Sequence, residues 1–198
     1  MPRRKVALVP GSYYHIYNRG HNSGNIFFET ANYDYFLRQF KKYIAGKHAN
    51  VIAYILMPNH YHFLLELINS NFSHSMQNFS ISYVKAINER YGRSGTLFQG
   101  AFQSKLVEQN EYLLHLSRYI HLNPIRAGLV KFPLDWIYSS YLEYVGLRNG
   151  NLPKPDIVLA QFKTSEVLET SEVCKRYHEF VQEPSIDQTK TIAHLLFD

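Results

Sequence analysis

The chain has 198 residues, 45% of them hydrophobic, which is enough for one well-cored domain with an extension. A formal net charge of +5 and a sequence pI near 9.2 favour a polyanionic partner such as nucleic acid. The single cysteine, Cys174, excludes an internal disulfide framework and a zinc site built from thiolates. The apolar runs of the chain are too short for a signal peptide or a bilayer span, so we expect a cytoplasmic protein.

Strand and helix patterns alternate along the first two-thirds of the chain. The aromatic run 13–19 predicts a first strand, and apolar spacing predicts a helix from Asn32 to about Lys47. Residues 51–57 are apolar at odd and even positions alike, as in a strand covered on both sides or at the centre of a sheet. Pro58-Asn59 predicts a turn that pairs this strand with a returning strand at 60–67. A second helix should begin near Ser73 or Ser75 and end near Arg90, followed by a strand within 98–107.

This order of elements predicts the fold class. Strand, helix, strand, strand, helix, strand is the α+β ferredoxin-like split βαβ order, with a four-stranded antiparallel sheet and two helices on one face. This arrangement leaves the other face available for a site. A third helix should run from Tyr112 to about Leu122 and stop before Pro124. Three further segments look helical: 136–145, 156–162 and 165–181.

Two histidines in the returning strand form the first candidate site. Alternate side chains of a strand share a face, so His60 and His62 should project together, opposite the core face formed by Tyr61 and Phe63. Imidazole is the commonest protein ligand for transition metals, but two ligands rarely complete a site. Glu66 shares the histidine face and is either a partner that orients an imidazole or a plain surface carboxylate.

The third helix offers the missing groups. Tyr119 and Asn123 are four residues apart and therefore share a helical face. If that face covers the sheet, the Asn123 amide oxygen could complete a three-ligand metal site with open positions. The alternative, favoured for Asn123 taken alone, is a helix C-terminal residue chosen for its tolerance of irregular geometry before Pro124. Tyr119 would lie beside the metal, and Tyr112, two turns earlier on nearly the same face, is its rival as a nucleophile.

Several ordered motifs resemble the single-tyrosine HUH transposases, in particular the branch of REP-associated tyrosine transposases. The resemblance covers about two-thirds of the chain. Its motifs are Tyr14-His15-Ile16-Tyr17-Asn18-Arg19-Gly20, Met57-Pro58-Asn59-His60-Tyr61-His62, Tyr91-Gly92-Arg93-Ser94-Gly95 with Phe98-Gln99-Gly100, and the run from Arg118 to Val130. The family's His pair typically encloses a bulky hydrophobe, and Tyr61 departs from this only by its hydroxyl.

The resemblance implies a function and a set of roles. It implies His60, His62 and Asn123 as ligands of a divalent metal, Mg²⁺ or Mn²⁺, and Tyr119 as the nucleophile. The family cleaves single-stranded DNA near hairpins and rejoins it through a covalent 5′-phosphotyrosine intermediate. The transposase domain would span 11–130, with 131–198 as a helical extension packed on it.

Basic residues in or beside the matched motifs are candidate DNA contacts. They are Arg19, Lys85, Arg93, Lys105, Arg118 and Arg126. The basic arm Arg3-Arg4-Lys5 could also reach a groove or a hairpin stem.

Two other functions compete with strand transfer. A non-catalytic module would bind single strands by base stacking and would not need the histidines with Tyr119 and Asn123. A phosphodiesterase would hydrolyse with water and leave no protein-linked product.

Overall fold

The computed structural model describes residues 7–108, 110–183 and 192–196, so the basic arm Arg3–Lys5 lies outside the described residues. Four strands form one antiparallel sheet, in the spatial order β2-β3-β1-β4. The strands are β1 Tyr13–Arg19, β2 Ala49–Met57, β3 His60–Leu67 and β4 Gln103–Val107. The predicted ferredoxin-like α+β fold is therefore confirmed.

Six α-helices accompany the sheet in the described part of the chain. They are α1 Thr30–Tyr43, α2 Phe72–Arg90, α3 Asn110–Arg126, α4 Tyr141–Tyr144, α5 Asp156–Leu159 and α6 Thr170–Gln182. None of the described helices is both long and apolar enough to cross a membrane.

Helices α1 and α2 cover one face of the sheet with an aromatic core. Tyr61 and Phe63 point into this core from β3, as their strand parity predicted. Phe40 of α1 stacks on Phe63 with ring centroids 4.2 Å apart and 5° between the planes. Phe79 of α2 meets Phe40 edge-on at 5.4 Å. Such ring pairs add to the stabilisation from the burial of apolar area.

The opposite face of the sheet, where the site was expected, is covered by α3 and the C-terminal helices. Ile55 of β2 and Leu64 of β3 pack against Leu116 and Ile120 of α3, and Tyr177 of α6 joins the same cluster. The apolar pattern of β2 fitted either a strand covered on both faces or a central strand, and the structure shows an edge strand covered on both faces. The histidine face is thus an interior layer between the sheet and the C-terminal helices.

Helix α3 does not stop before Pro124, contrary to the prediction. Pro124 lies inside the last turn, and the helix continues to Arg126. The amide of Ala127 donates to the Asn123 carbonyl at 2.9 Å, and that of Leu129 donates to the Pro124 carbonyl at 2.9 Å. Proline has no backbone N–H to donate to the carbonyl four residues earlier, yet the amides after it continue the helical pattern. Asn123 therefore lies within a helical turn.

The C-terminal extension is less helical than predicted. Within 136–145 only Tyr141–Tyr144 is helical, and the preceding residues run along β2. The amide of Leu56 donates to the Tyr138 carbonyl at 2.9 Å, and that of Ser140 donates to the Tyr54 carbonyl at 3.0 Å. The segment 156–162 forms α5 and a 3-10 turn, and the last predicted helix begins only at Thr170.

Candidate active site

The two predicted histidines lie together at one end of β3. Their rings are 5.0 Å apart between centroids and nearly perpendicular, at 84°. On the neighbouring strand β1, Arg19 pairs with His60 and Tyr17 pairs with His62. The tight turn between β2 and β3 therefore brings His60 to the rim of the sheet, while His62 lies one step further in and is fully buried.

The ring of His60 is oriented by the residue before it. Its Nδ1 lies 2.6 Å from Oδ1 of Asn59, and since this oxygen can only accept, Nδ1 carries the proton. The lone pair is then on Nε2. Burial lowers the pKa of His60 to about 4, and a hydrogen bond with the Asn123 side chain opposes this shift. The ring is neutral near pH 7 and can serve as a ligand.

His62 is hydrogen-bonded to a third histidine that the sequence analysis did not assign to the site. Its Nδ1 lies 2.9 Å from Nε2 of His15 on β1. Nδ1 of His15 lies 2.5 Å from the carbonyl oxygen of Leu195, near the end of the described chain. Burial lowers the pKa of His15 to about 4, and burial together with the neighbouring His15 and His60 lowers that of His62 well below 6.5.

Helix α3 places Tyr119 over the histidines. The Tyr119 ring is nearly perpendicular to the His62 ring at 84°, with centroids 5.8 Å apart, and lies 6.4 Å from the His15 ring. On the same helix, Asn123 donates from Nδ2 to the Tyr119 carbonyl at 2.8 Å. The guanidinium carbon of Arg126 lies 4.9 Å from the centroid of the Tyr119 ring. Helix α3 thus brings a phenol, an amide and a cation to the imidazoles of His62 on β3 and His15 on β1.

The rival tyrosine lies elsewhere on the same helix. Tyr112 packs against His194 of the C-terminal segment, with ring centroids 5.3 Å apart. Seven residues separate it from Tyr119, which is about 10 Å along a helix. The contacts with His62 and His15 are made by Tyr119.

The predicted metal ligands form a small donor set. Within the described ranges, no three His, Cys, Asp or Glu side chains are grouped so as to hold a metal ion. The predicted set contains only two such residues, and its third member, Asn123, is an amide in contact with His60. Two neutral imidazoles and one amide oxygen fit a divalent cation that takes its remaining ligands from water or phosphate. Asn123, His60 and His62 are therefore compatible with the expected cofactor.

Three of the six predicted DNA-contacting residues border the histidines or Tyr119. Arg19 is paired with His60 and donates from Nε to Oε1 of Gln99. Lys105 is paired with His15, and its ammonium lies 5.9 Å from the Tyr17 ring centroid and donates to the Leu196 carbonyl. Arg19 and Lys105 line a cleft of about 450 Å³ at the β4 edge. The third, Arg126, contacts Tyr119.

The other three predicted contacts do not border the histidines. Arg118 is 6% exposed and donates to the carbonyls of Val181 and Glu183 at the end of α6. Lys85 is exposed on α2, which covers the opposite face of the sheet. Arg93 follows α2, with its guanidinium 5.1 Å from the Phe28 ring. Arg118 and Arg126 line the same groove, whereas Lys85 and Arg93 belong to α2 and to the turn after it.

Sequence reasoning missed two residues of the site and left the role of Glu66 open. Asn59 and His15 orient the rings of His60 and His62. The alternation of His15 with Tyr17 and Arg19 on β1 was the available signal, because paired strands bring same-face residues together. Glu66 is no such partner, since it lies at the far end of β3 and accepts from Asn50 at 2.9 Å.

Comparison with known proteins agrees with this fold. The family described as "Transposase IS200 like" matches residues 9–123, and the chain belongs to this family. Among named relatives, a Haemophilus influenzae protein that carries the name of a REP-associated tyrosine transposase is 26% identical over 105 residues. That match covers 46% of this chain and 57% of the relative, so the chain spans a little over half of its length.

A solved structure shares the fold. It is a REP-associated tyrosine transposase bound to a REP hairpin, superposed with a TM-score of 0.63 and 16% sequence identity. The match covers 78% of this chain and 98% of that one. At this identity the similarity concerns the fold. The strand order, the covering helices and the family match place the chain among the IS200-like transposases.

Proposed function

We propose that the protein cleaves and transfers single-stranded DNA at hairpin-associated sites, with Tyr119 as the nucleophile. The observation that carries the proposal is the packing of the Tyr119 ring against His62, which brings a phenol from α3 to a pair of imidazoles on β3. We assign this activity to residues 11–130, with 131–198 as an extension. The hairpin in the related solved structure supports a substrate of the same kind.

The chemistry of such a site is a transesterification. The Tyr119 oxygen would attack the phosphorus, forming an O–P bond as the bond from phosphorus to the 3′-oxygen breaks. The 3′-oxygen leaves with a proton as a free 3′-hydroxyl, and the downstream strand stays on the tyrosine through its 5′-phosphate. A second 3′-hydroxyl can reverse the step, so rejoining needs no external energy source.

The residues around the phenol suit this step. A tyrosine is mostly protonated at neutral pH, and the nearby guanidinium of Arg126 favours negative charge on its oxygen. His60, His62 and Asn123 would hold Mg²⁺ or Mn²⁺, which when bound polarises the phosphate and neutralises charge. Arg19 and Lys105, beside the histidines, would bind flanking phosphates.

The test is a denaturing gel of protein incubated with hairpin DNA that carries a single-stranded flank. Two labels on the same DNA separate the products: a 3′ label should move with the protein, and a 5′ label should leave as a shorter strand ending in 3′-OH. The adduct should require Mg²⁺ or Mn²⁺ and vanish with EDTA. It should also vanish in Tyr119→Phe and His60→Ala, while Tyr112→Phe, the matched control, keeps it.

The other outcomes identify other functions. An adduct that persists in Tyr119→Phe and is lost in Tyr112→Phe would move the nucleophile to Tyr112. Cleavage without an adduct would indicate a hydrolase that uses water. Binding without cleavage across a panel of hairpins would indicate a non-catalytic nucleic-acid-binding module.

A further inference from the structure

A chain of hydrogen bonds connects His62 to the C-terminal segment of the protein. His15, fully buried on β1, uses both ring nitrogens in it: Nδ1 meets the Leu195 carbonyl at 2.5 Å and Nε2 meets Nδ1 of His62 at 2.9 Å. The His15 and His62 rings have centroids 5.0 Å apart and planes 22° apart. Two rings that lie end to end in nearly one plane have this geometry, which suits a linear N–H···N hydrogen bond.

The order of donors in this chain follows from its last acceptor. A carbonyl oxygen only accepts, so Nδ1 of His15 carries the proton and donates to Leu195. A neutral imidazole has one N–H, which leaves a lone pair on Nε2 of His15. His62 must then donate from its own Nδ1, and its lone pair is on Nε2.

We infer that His15 is a positioning residue, which holds His62 in the tautomer that presents the Nε2 lone pair to a divalent cation. The inference rests on the proposed function, in which His62 is a ligand. His60 reaches the same tautomer by another route, because Asn59 accepts from its Nδ1. Both imidazoles of the pair are thus set with Nε2 as the ligating atom, as expected for ligands oriented by a partner on the other nitrogen.

The C-terminal segment supplies the terminal acceptor of this chain and is itself fixed in place. Leu195 ends a 3-10 turn, Ala193–Leu195, and is buried. The next carbonyl, that of Leu196, accepts from the Lys105 ammonium on β4. On the other side, His194 packs on Tyr112 of α3 at 5.3 Å. Contacts from the sheet and from α3 therefore hold the Leu195 carbonyl against His15.

Two variants of His15 separate positioning from packing. His15→Phe keeps a ring of similar size but provides no acceptor for His62. His15→Gln keeps an acceptor, because its amide oxygen can take the hydrogen bond from Nδ1. His121→Gln is the matched control, since His121 is also fully buried but contacts Tyr177 and Ser140 instead.

The first measurement is the tautomer of His62 in the metal-free protein, from long-range ¹H–¹⁵N NMR correlations at pH 7.5 assigned with His62→Gln. We expect Nδ1–H in the wild type, in His15→Gln and in His121→Gln, and a gain of Nε2–H in His15→Phe. A wild-type spectrum with His62 protonated on Nε2 would overturn the inference, and this reading needs no variant of His15 to fold.

The second measurement is Mn²⁺ binding to the full-length protein, followed by the EPR signal of free Mn²⁺. Loss of a partner that orients a ligand lowers metal affinity by roughly 10–100-fold, so we expect this loss in His15→Phe and near wild-type affinity in His15→Gln and His121→Gln. Equal affinity in wild type and His15→Phe, or no Mn²⁺ binding by the wild type, would contradict the inference. Neither measurement contains DNA, so a failure of strand cleavage alone would refute the proposed function and leave this result standing.

Discussion

The two faces of strand β3 are buried in different ways. Tyr61 and Phe63 enter an aromatic core supplied by α1 and α2, where ring packing is the main interaction. His60 and His62 enter a layer built by α3 and the C-terminal extension, in which buried polar groups bond to one another. The same eight-residue strand therefore has an aromatic core on one face and the candidate site on the other.

The polar layer extends well beyond the histidine pair. His121 of α3 lies 2.7 Å from the Tyr177 hydroxyl and 2.8 Å from Oγ of Ser140. Ser117 reaches the same Tyr177 hydroxyl at 3.0 Å. Buried polar groups are costly unless they are paired, so this face depends on correct partners, whereas the aromatic face depends on volume. Substitutions on the two faces should separate loss of stability from loss of chemistry.

The largest effect is expected on the aromatic face. Phe63→Ala removes a fully buried ring stacked on Phe40 and should lower the free energy of unfolding by about 3–5 kcal/mol. Urea denaturation followed by circular dichroism measures the change. His60→Ala at the rim should abolish the DNA adduct with a far smaller change in stability. Equal losses of stability in the two variants would remove the distinction between the faces.

The next largest effect is expected in the polar layer, where the free energy of unfolding should depend on pH. His121→Leu leaves Tyr177 and Ser140 with one partner fewer and should cost about 1–3 kcal/mol at pH 7. Burial lowers the pKa of His121, which is near 6.5 in the unfolded chain and about 3 in the folded chain. Between these two pH values only the unfolded chain binds the proton, so wild-type stability falls as pH decreases. The stability difference between wild type and variant should therefore narrow from pH 7 to pH 5.

A smaller effect is expected from the cation beside the nucleophile. Arg126→Met keeps the side-chain stem but removes the charge next to Tyr119, and we expect the rate of adduct formation to fall about tenfold. Lys85→Met, on the far side of the sheet, is the control and should leave the rate unchanged. Single-turnover kinetics with labelled hairpin DNA provide the comparison. Similar losses in both variants would indicate that general charge attraction, rather than position, controls the rate.

The smallest effect concerns the carboxylate on the histidine face. Glu66→Gln keeps the hydrogen bond from Asn50 and should change the free energy of unfolding by no more than about 0.5 kcal/mol. The rate of adduct formation should be unchanged, because Glu66 lies at the opposite end of β3 from His60. If Glu66 oriented a metal ligand, its replacement would instead lower metal affinity or the rate of adduct formation by about 10–100-fold.

Local patterns predicted the fold and the composition of the candidate site well. Strand parity placed His60 and His62 on the face opposite Tyr61 and Phe63, and helical spacing placed Tyr119 and Asn123 together. These are consequences of fixed backbone geometry, and they need no knowledge of distant residues. The assignment of Tyr119 as the nucleophile and of the metal ligands stays a prediction.

Features that depend on contacts distant in sequence were missed. Helix α3 continues through Pro124, and the approach of Leu195 to His15 joins residues 180 positions apart. Residues 136–140 look helical by pattern but gain more from hydrogen bonds to β2 than from an isolated helical turn. Likewise, Arg118 resembles a DNA contact in sequence, but it donates to carbonyls of the extension.

The pairing of the extension with β2 has a consequence for self-association. β2 is nine residues long, strongly apolar and terminal in the sheet order, a combination that invites a second chain to add a strand. Its outer edge is instead occupied by Tyr138–Ser140 and, further along, by the amide of Lys154, which donates to the Val51 carbonyl at 2.7 Å. The extension thus covers a sheet edge that could otherwise pair with another chain. A chain truncated after α3 would expose this edge as a template for intermolecular β-sheet growth.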